Sequence, residues 1–142
     1  MTITEFTLAH YDDVIALWRR TPGICIREED SREATARDLA RNPGFSFVAS
    51  IDNKVIGSAL SGHDGRRGYL QHVAVDPAFR RRGIARALVD RCLSALADAG
   101  IARAHLAVLA DNESASRYWS NRGWELRDDI LRFSKTCRSE NR

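Results

Sequence analysis

The chain has 142 residues, of which 44% are hydrophobic and 29% are charged, a balance typical of one ordinary globular domain. Its apolar runs fall short of the roughly 18 residues that a membrane span needs, and its N-terminus lacks the basic and apolar segments of a signal peptide. We therefore expect a single cytoplasmic domain over residues 1–142, with no membrane partner.

The cysteines and the distribution of charge limit which kinds of functional site the chain is expected to have. Cys25, Cys92 and Cys137 are an odd number without C-x-x-C spacing, which predicts neither a disulfide framework nor a metal site. The formal net charge of +3 is mild, but residues 80–82 are three consecutive arginines, and Arg86 follows one helical turn later. Such a run is typical of a solvated face or a nucleic-acid patch unless its surroundings indicate otherwise.

The N-terminal part of the chain carries one short strand pattern and two helical patterns. Weak alternation predicts a strand over residues 3–7, and apolar residues at helical spacing predict helices over 10–20 and 30–41. Asp30 or Ser31 is a suitable N-cap for the second helix. Segments with proline and glycine end both helices.

An antiparallel meander is predicted next. Its strands cover residues 45–51, 55–61 and 68–75, and Asp-Asn and His-Asp-Gly sequences supply the turns between them. Pro77 ends the third strand, because proline cannot donate to a sheet ladder.

The period becomes helical again in the second half of the chain. Ile84, Leu88, Cys92 and Leu96 fall four apart, which predicts a helix over residues 83–99. The remaining predicted elements are a strand over 104–109, a short helix that follows Asn112 and ends at about 122, and a hairpin with strands at 124–126 and 130–135. Together these patterns predict an α+β, or mixed α/β, fold with a mostly antiparallel twisted sheet of six to seven strands and about four helices.

The most informative segment runs from a strand through the arginine loop into a helix. Backbone N–H groups of such a loop and of a helix's first turn form an anion cradle, and the helix dipole adds partial positive charge. Gly83 lets the backbone approach an anion closely, small Ala85 avoids crowding it, and arginines pair with phosphates through forked donors. The Walker and Rossmann glycine patterns are absent, so a pyrophosphate ligand without a demand for magnesium fits best.

Two motifs in the sequence resemble those of one enzyme family. Arg80-x-x-Gly83-x-Ala85, preceded by Val-Ala-Val-Asp-Pro at residues 73–77, resembles the R/Q-x-x-G-x-G/A signature of the GNAT superfamily of N-acetyltransferases. Residues 112–124, NESASRYWSNRGW, are similar to the family's second motif, N-x-x-A-x-x-[aromatic/Leu]-Y-x-x-x-G-[F/Y]. The order of the two motifs and of the predicted elements matches the family across the chain.

The resemblance implies a GNAT-like fold, acetyl-CoA as the cofactor and no metal. Main-chain groups of Val73 and Val75 would contact the pantetheine arm, those of residues 81–86 would hold the pyrophosphate, and Asn112 would bond the cofactor. Asn112 also suits a plain N-cap role, and the two roles are compatible. The implied cofactor-binding residues are Val73, Ala74, Val75, Arg80, Arg81, Arg82, Gly83, Ile84, Ala85, Arg86 and Asn112.

The second motif departs from the family at its acid. Many members use a tyrosine seven residues after the asparagine to protonate the leaving thiolate, and here Trp119 occupies that position. An indole N–H donates a hydrogen bond but does not dissociate near neutral pH. Tyr118 is adjacent but points about 100° away on a helix, so a core role is the favoured interpretation. We hypothesise that the thiolate leaves without a dedicated tyrosine acid, with Trp119 lining the acyl pocket or donating to the sulfur.

The general base has several candidates on the third meander strand. Tyr69, Gln71 and Val73 share one face because strand side chains alternate, and relatives often project a base from such positions. Glutamine cannot act as a base, and the ordinary pKa of tyrosine lies far above neutrality. His72 is the right residue type but has the wrong parity unless a bulge re-aims it, so a packed strand histidine is favoured. His63 lies in a predicted turn, where it would either reach an acceptor or simply be solvated, as turn histidines usually are. Deprotonation through water is the default hypothesis.

The candidate catalytic residues are therefore Trp119, Tyr118, His72 and Tyr69. Acidic residues near the acceptor side have two interpretations. Asp64 and residues 28–30 would bind a cationic amine, or they serve the hairpin turn and the start of a helix.

Three functions are compatible with these features. The first is transfer of an acetyl group from acetyl-CoA, by direct attack in a ternary complex, to a small amine, a peptide N-terminus or a lysine. The second is a catalytically silent acyl-CoA-binding module, and the third is a nucleic-acid-binding domain. The third is disfavoured because the arginines lack interleaved aromatics and any helix-turn-helix or RNA-binding signature. Dimers are common in the family, so a homodimer is a candidate assembly, and the turn sequence at residues 62–68 resembles the bacterial YpeA-like branch.

Overall fold

The computed structural model describes residues 1–138, which fall into two compact units that divide between Ala107 and Val108. The elements of the first unit, in chain order, are β1 (Thr2–Glu5), α1 (Tyr11–Arg19), α2 (Arg32–Arg41), β2 (Phe47–Ile51), β3 (Lys54–His63), β4 (Gly68–Val75), α3 (Ile84–Asp98) and β5 (Ala104–His105). Short 3-10 helices lie at Leu8–His10, Glu28–Asp30 and Pro77–Phe79. The second unit contains α4 (Glu113–Asn121).

The five strands form one mixed sheet in the order β1-β2-β3-β4-β5. The first three pairs are antiparallel, and β4 pairs with β5 in parallel. This is an α+β fold with four α-helices among the described residues, and most elements lie within a few residues of their predicted bounds. The third meander strand was predicted over 68–75, and β4 covers the same residues.

The predicted count of six to seven strands is not found in residues 1–138, which hold five. The strand predicted over 104–109 shortens to two residues, and the hairpin predicted at 124–126 and 130–135 is irregular. Alternating apolar residues there gave the strand pattern, but a strand also needs a partner ladder and a covered face. Leu131 and Phe133 are 84% and 90% exposed, so their apolar side chains have no such cover.

Helices cover both faces of the sheet. An added Cβ at Gly57 in β3 would lie 3.1 Å from both Ile84 and Leu88, which places α3 on one face. The next residue, Ser58, accepts a 2.8 Å hydrogen bond from Nε1 of Trp18, which places α1 on the opposite face because strand side chains alternate.

The main core lies under α1. Its fully or nearly fully buried side chains include Phe6, Val14, Leu17, Trp18 and Val48. Burying an apolar side chain of this size stabilises the fold by about 1.5–3 kcal/mol relative to leaving it in water. The α1 helix and the strands β2 and β3 are therefore held together mainly by this cluster.

The structure shows which of the two predicted candidates is the N-cap of α2. The Ser31 hydroxyl accepts a hydrogen bond from the Ala34 N–H at 3.1 Å, so Ser31 is the cap. Asp30 is instead buried, with 4% of its surface exposed, and it has another partner described below. Within residues 1–138 no helix is long and apolar enough to cross a membrane.

Candidate active site

A buried aspartate fixes the turn between β4 and the arginine loop. Asp76 accepts a hydrogen bond from the Ala78 N–H at 2.9 Å and one from Nε of Arg20 at 3.0 Å. The Ala78 N–H lowers the pKa of Asp76 against the opposing effect of burial, and the Arg20 and Lys54 side chains lower it further. The sequence indicates the end of a strand and a family motif at this position, but it carries no signal for the ion pairs of Asp76 with Arg20 and Lys54.

The helix α3 begins without a side-chain cap. Its N-cap is Gly83, and its first turn contains no acidic residue. By contrast, the N-caps of α2 and α4 are Ser31 and Asn112, whose side chains accept the backbone N–H groups of Ala34 and Ala115, and each of these helices has an acidic residue in its first turn. The first N–H groups of α3 therefore lack the acceptors that those helices possess, and the positive end of the helix dipole is not compensated.

The loop before α3 has the backbone of an anion cradle. Arg81 and Gly83 both have left-handed backbones, with φ of 64° and 74°. Such alternation turns successive N–H groups toward one concavity. A Cβ added at Gly83 would meet nothing within 4 Å, so the space in front of this backbone is open.

The arginines of the loop are available for a ligand. All of them are exposed, and no ion pair within residues 1–138 engages the guanidinium of Arg80, Arg81 or Arg86. Arg82 lies over the ring of Phe79, 5.1 Å from its centroid. Cationic side chains without carboxylate partners beside an uncapped helix start fit a polyanion such as a pyrophosphate.

One edge of β4 is open over most of its length. The parallel pairing with β5 extends only over Gly68 and Tyr69. Beyond Tyr69 no strand of the described residues pairs with this edge, while the opposite edge is paired to β3 as far as Val75. Val73 and Val75 are half-buried and Ala74 is buried. The open edge therefore runs along the predicted pantetheine-contacting residues and ends at the Asp76 turn.

A bulge in β4 changes the parity that simple alternation predicts. Leu60 pairs with Gln71 and Ser58 pairs with Ala74, so β4 contains one more residue than β3 in this interval. His72 lies within the bulge and has a φ of 46°, a left-handed backbone that a histidine adopts at a cost. The structure therefore contains a bulge of the kind that re-aims His72, and the His72 ring is also packed, against Trp18.

Three residues from different elements contact His72. Its Nε2 lies 2.8 Å from Oδ1 of Asp30, and its ring centroid lies 4.5 Å from that of Trp18. Its carbonyl oxygen accepts a 3.0 Å hydrogen bond from Ser58, whose hydroxyl is also bonded by Trp18. The His72 side chain remains 23% exposed. Asp30 was expected near a helix start, and its partnership with His72 across 42 positions left no signal in the sequence.

An open groove of about 220 Å³ lies beside this strand in the first unit. Tyr69 and Gln71, which share a face as predicted, line it together with residues from the C-terminal end of α2 and the β3–β4 turn. Its charged members are Asp38, Arg41 and Asp64. Burial raises the pKa of Asp38, whereas the Arg67 and Arg66 N–H groups lower that of Asp64. His63 also lines the groove.

The second unit contains the remaining predicted residues. Asn112 caps α4 by accepting the Ala115 N–H at 3.1 Å, as its N-cap interpretation requires. Tyr118 and Trp119 are half-buried, and their rings meet edge to face at a centroid distance of 5.1 Å. The Trp119 ring also meets Trp124 at 5.3 Å. The structure therefore joins β4, the arginine loop and Asp30 in one unit and groups the second-motif residues in another.

Comparison with known proteins agrees with this architecture. The sequence model described as the Acetyltransferase (GNAT) family matches residues 11–124. An acetyltransferase of Sodalis glossinidius is 31% identical over 95% of this chain and 94% of its own length. An acetyltransferase of Pectobacterium atrosepticum is 32% identical over 92% of each.

Solved structures share the fold at low sequence identity. The PaiA N-acetyltransferase of Thermoplasma acidophilum, in complex with coenzyme A, superposes with a TM-score of 0.78 at 17% identity, over 89% of this chain and 91% of that one. AAC(6')-Iy, in complex with the bisubstrate analogue CoA-S-monomethyl-acetylneamine, has a TM-score of 0.74 at 20% identity, over 96% and 98%. The chain belongs to the GNAT family of acetyltransferases and is an enzyme of that family.

Proposed function

We propose that this enzyme transfers an acetyl group from acetyl-CoA to a primary amine, in a ternary complex of both substrates. The acceptor would be a small amine, a peptide N-terminus or a lysine side chain. The observation that carries the proposal is the arginine loop, where a left-handed backbone and guanidinium groups without an ion pair in residues 1–138 (Arg80, Arg81 and Arg86) adjoin the start of α3, which has no side-chain cap. The two solved relatives that contain coenzyme A or a CoA analogue support this assignment.

The residues present fit the pyrophosphate and the pantetheine arm of coenzyme A. The pyrophosphate would lie against the first N–H groups of α3 and the loop backbone, in the open space in front of Gly83. The amide-bearing pantetheine arm would pair with the open edge of β4 at Val73 and Val75, as an added strand does. The thioester supplies the activated acetyl group, and the protein supplies its position.

The groove beside β4 would hold the acceptor. It is lined by the Tyr69–Gln71 face of β4 and by two aspartates against one arginine. Asp64 has a pKa below its usual range, so it is ionised at neutral pH and attracts a cationic amine. A cationic acceptor entering here would approach β4 on the same face as Gln71.

Three finer assignments accompany this proposal. The turn sequence at residues 62–68 supports membership of the YpeA-like branch. Cys25, Cys92 and Cys137 are all free thiols, which supports a cytoplasmic location. Exposed apolar side chains at residues 126, 130, 131 and 133 support a homodimer, which size-exclusion chromatography would measure.

The test measures turnover and cofactor binding separately. Thiol release from acetyl-CoA is followed with a panel of amines, peptides and polyamines, and thermal shift is measured with CoA. The key variants are Gly83→Glu and Gly100→Glu, because these glycines flank the same helix with φ of 74° and 83° and open space around each. Both substitutions strain the backbone by about 1–2 kcal/mol, but only the first places a carboxylate in the proposed anion site.

We expect CoA to raise the melting temperature of the wild type and of Gly100→Glu but not of Gly83→Glu, and some amine to drive thiol release. Equal loss of the CoA effect in both glycine variants would contradict the placement of the pyrophosphate. Stabilisation by CoA without turnover of any amine would favour a silent acyl-CoA-binding module, for which the tryptophan at position 119 is the supporting feature.

A further inference from the structure

We propose that His72 is the general base of the acetyl transfer and that Asp30 is the residue that positions it. This inference rests on the proposed function and adds to it the atom that accepts the proton. It is carried by the geometry of a bulged strand, by a hydrogen-bonded carboxylate and by the packing that holds both.

The bulge gives His72 its direction. Without it, residue 72 would point toward α3, opposite to Gln71. With it, the His72 ring meets Trp18 and Asp30 on the α1 side, the face from which Gln71 lines the acceptor groove. The side chains of Gln71 and His72, which are consecutive in β4, therefore lie on the same side of the sheet, next to the edge proposed to hold the thioester.

The left-handed backbone of His72 is held by specific contacts rather than by a turn. Ser58 donates to the His72 carbonyl at 3.0 Å and accepts from Trp18 at 2.8 Å, and the Trp18 ring lies against the imidazole. Trp18 and Ser58 are both 0% exposed. A strained residue that is fixed from two sides in this way is typical of a functional site.

Asp30 determines which ring nitrogen is free. Its Oδ2 accepts the Arg27 N–H at 3.0 Å, and its Oδ1 faces Nε2 of His72 at 2.8 Å. Because a carboxylate only accepts, Nε2 carries the proton and donates, and Nδ1 holds the lone pair. No hydrogen bond within the part of the chain described here uses Nδ1 of His72, and the side chain is 23% exposed, so the proposal assigns the substrate proton to this nitrogen.

The proposed acetyl transfer accounts for each bond that forms or breaks and for the proton of the amine. As the nitrogen of the neutral amine bonds to the carbonyl carbon, the carbon–sulfur bond breaks and its electron pair leaves on the thiolate. The amine proton passes to Nδ1 of His72, and the resulting imidazolium is stabilised by the Asp30 carboxylate. The imidazolium then returns the proton to the thiolate or to water, which restores the base.

The residues that contact the His72 ring determine how the pH dependence of the reaction is assigned. Asp30, from the Glu28–Asp30 helix, is a titratable group that contacts the ring, and Tyr11 of α1 donates to the Asp30 carbonyl at 2.6 Å. The contacts from α1 and β3, Trp18 and Ser58, do not titrate. If the plot of kcat/KM against pH loses one limb when His72 is replaced, that limb is therefore assigned to the His72–Asp30 pair.

Two substitutions test the pair while preserving the shape of the site. His72→Asn removes the base but keeps a residue type that tolerates a left-handed backbone. Asp30→Asn keeps the oxygen that accepts Arg27 and turns an NH2 toward Nε2, which forces the ring proton onto Nδ1 and removes the free lone pair. His10→Asn and Asp13→Asn, a histidine and an aspartate outside the site, are the matched controls.

We expect each of the two test variants to lower kcat by about 10²- to 10⁴-fold, with the CoA-induced thermal shift retained. The ascending limb of kcat/KM against pH should disappear in His72→Asn. The controls should stay within about threefold of wild type. Ring nitrogen NMR supplies a readout independent of activity: the proton is expected on Nε2 of His72 in the wild type and on Nδ1 in Asp30→Asn.

The outcomes separate this inference from the proposed function. A wild type that turns over an amine, together with a His72→Asn variant that keeps its kcat and its pH limb, overturns the His72 assignment alone. Unchanged ring protonation in Asp30→Asn overturns the positioning role of Asp30. A wild type that releases no thiol with any amine overturns both the proposed function and the base assigned to it.

Discussion

Arg20 and Asp76 lie 56 residues apart in the chain, yet Nε of Arg20 donates to Oδ2 of Asp76 at 3.0 Å. Arg20 follows the last residue of α1, and Asp76 begins the turn that leads into the arginine loop. Arg20 also donates to the Val55 carbonyl at 3.3 Å. The ion pair therefore connects the helix that covers the main core to the segment proposed to bind the pyrophosphate.

Replacing this aspartate is expected to destabilise the fold in a pH-dependent way. The folded-state pKa of Asp76 lies below its ordinary 3.8, so the ionised form stabilises the fold at neutral pH. That contribution is complete above the ordinary value and is lost as the pH falls through the lower, folded value. Asp76→Asn should cost about 1.5–3 kcal/mol in urea unfolding at pH 7 and progressively less below pH 3.8. A gap independent of pH would contradict the assignment.

The three thiols are expected to differ sharply in reactivity. Cys92 is 0% exposed, and burial raises its pKa to about 11, whereas Cys25 and Cys137 are exposed. Since the thiolate is the reactive form, iodoacetamide at pH 8 should label Cys25 and Cys137 quickly and Cys92 only after unfolding. Peptide mass spectrometry measures each site separately. Rapid native labelling of Cys92 would show that α3 opens far more readily than its packing indicates.

The wall of the groove proposed to hold the acceptor depends on a close approach between α2 and β3. A Cβ at Gly62 would lie 2.6 Å from Cγ of Asn42, whose Oδ1 accepts the His63 N–H at 3.0 Å. Gly62→Ala is therefore expected to cost about 1–3 kcal/mol and to raise the KM of the amine while the CoA thermal shift is retained. In an Asn42→Ala background the same substitution should cost less, because the overlap is removed. Additive costs would show that the two residues do not interact.

The tryptophan at the family's acid position gives a direct prediction about the leaving group. Trp119→Phe keeps an aromatic ring against Tyr118 and Trp124 but removes the indole N–H. If the thiolate leaves without a dedicated acid, kcat should fall by less than about tenfold, and Tyr118→Phe should behave similarly as the control. Loss of activity to background in Trp119→Phe alone would assign the thiolate to the indole N–H.

Local patterns predicted local structure well. The four-residue spacing of Ile84, Leu88, Cys92 and Leu96 predicted α3 and its buried face, and all four side chains are at most 3% exposed. The predicted range of 83–99 lies within one residue of the observed α3 at each end, and Gly100, just beyond the helix, has the left-handed backbone that is common after a helix C-terminus. The bounds and the buried face of α3 depend on residues close together in the chain, so the spacing of apolar residues predicts them.

Features that join distant segments were not predictable in the same way. The pair of Asp30 and His72 depends on a bulge whose position follows from how β3 and β4 pair, and alternation alone placed His72 on the other face. The hairpin predicted near the C-terminus is not formed, because alternation of apolar residues does not show whether their face will be covered, and Leu131 and Phe133 are exposed. From the sequence alone, a bulge that re-aims His72 could be named as an alternative, but its presence in β4 could not be predicted.

The open edge of β4 has a consequence for how the isolated enzyme behaves in storage. A strand whose N–H and C=O groups lack a neighbouring strand is a template for pairing with other chains, and proteins ordinarily shorten, charge or cover such edges. If the pantetheine arm is what covers β4, the ligand also protects the protein from self-association. Preparations stripped of CoA should accumulate aggregates over days at high concentration, and a modest excess of CoA should keep the same preparations clear.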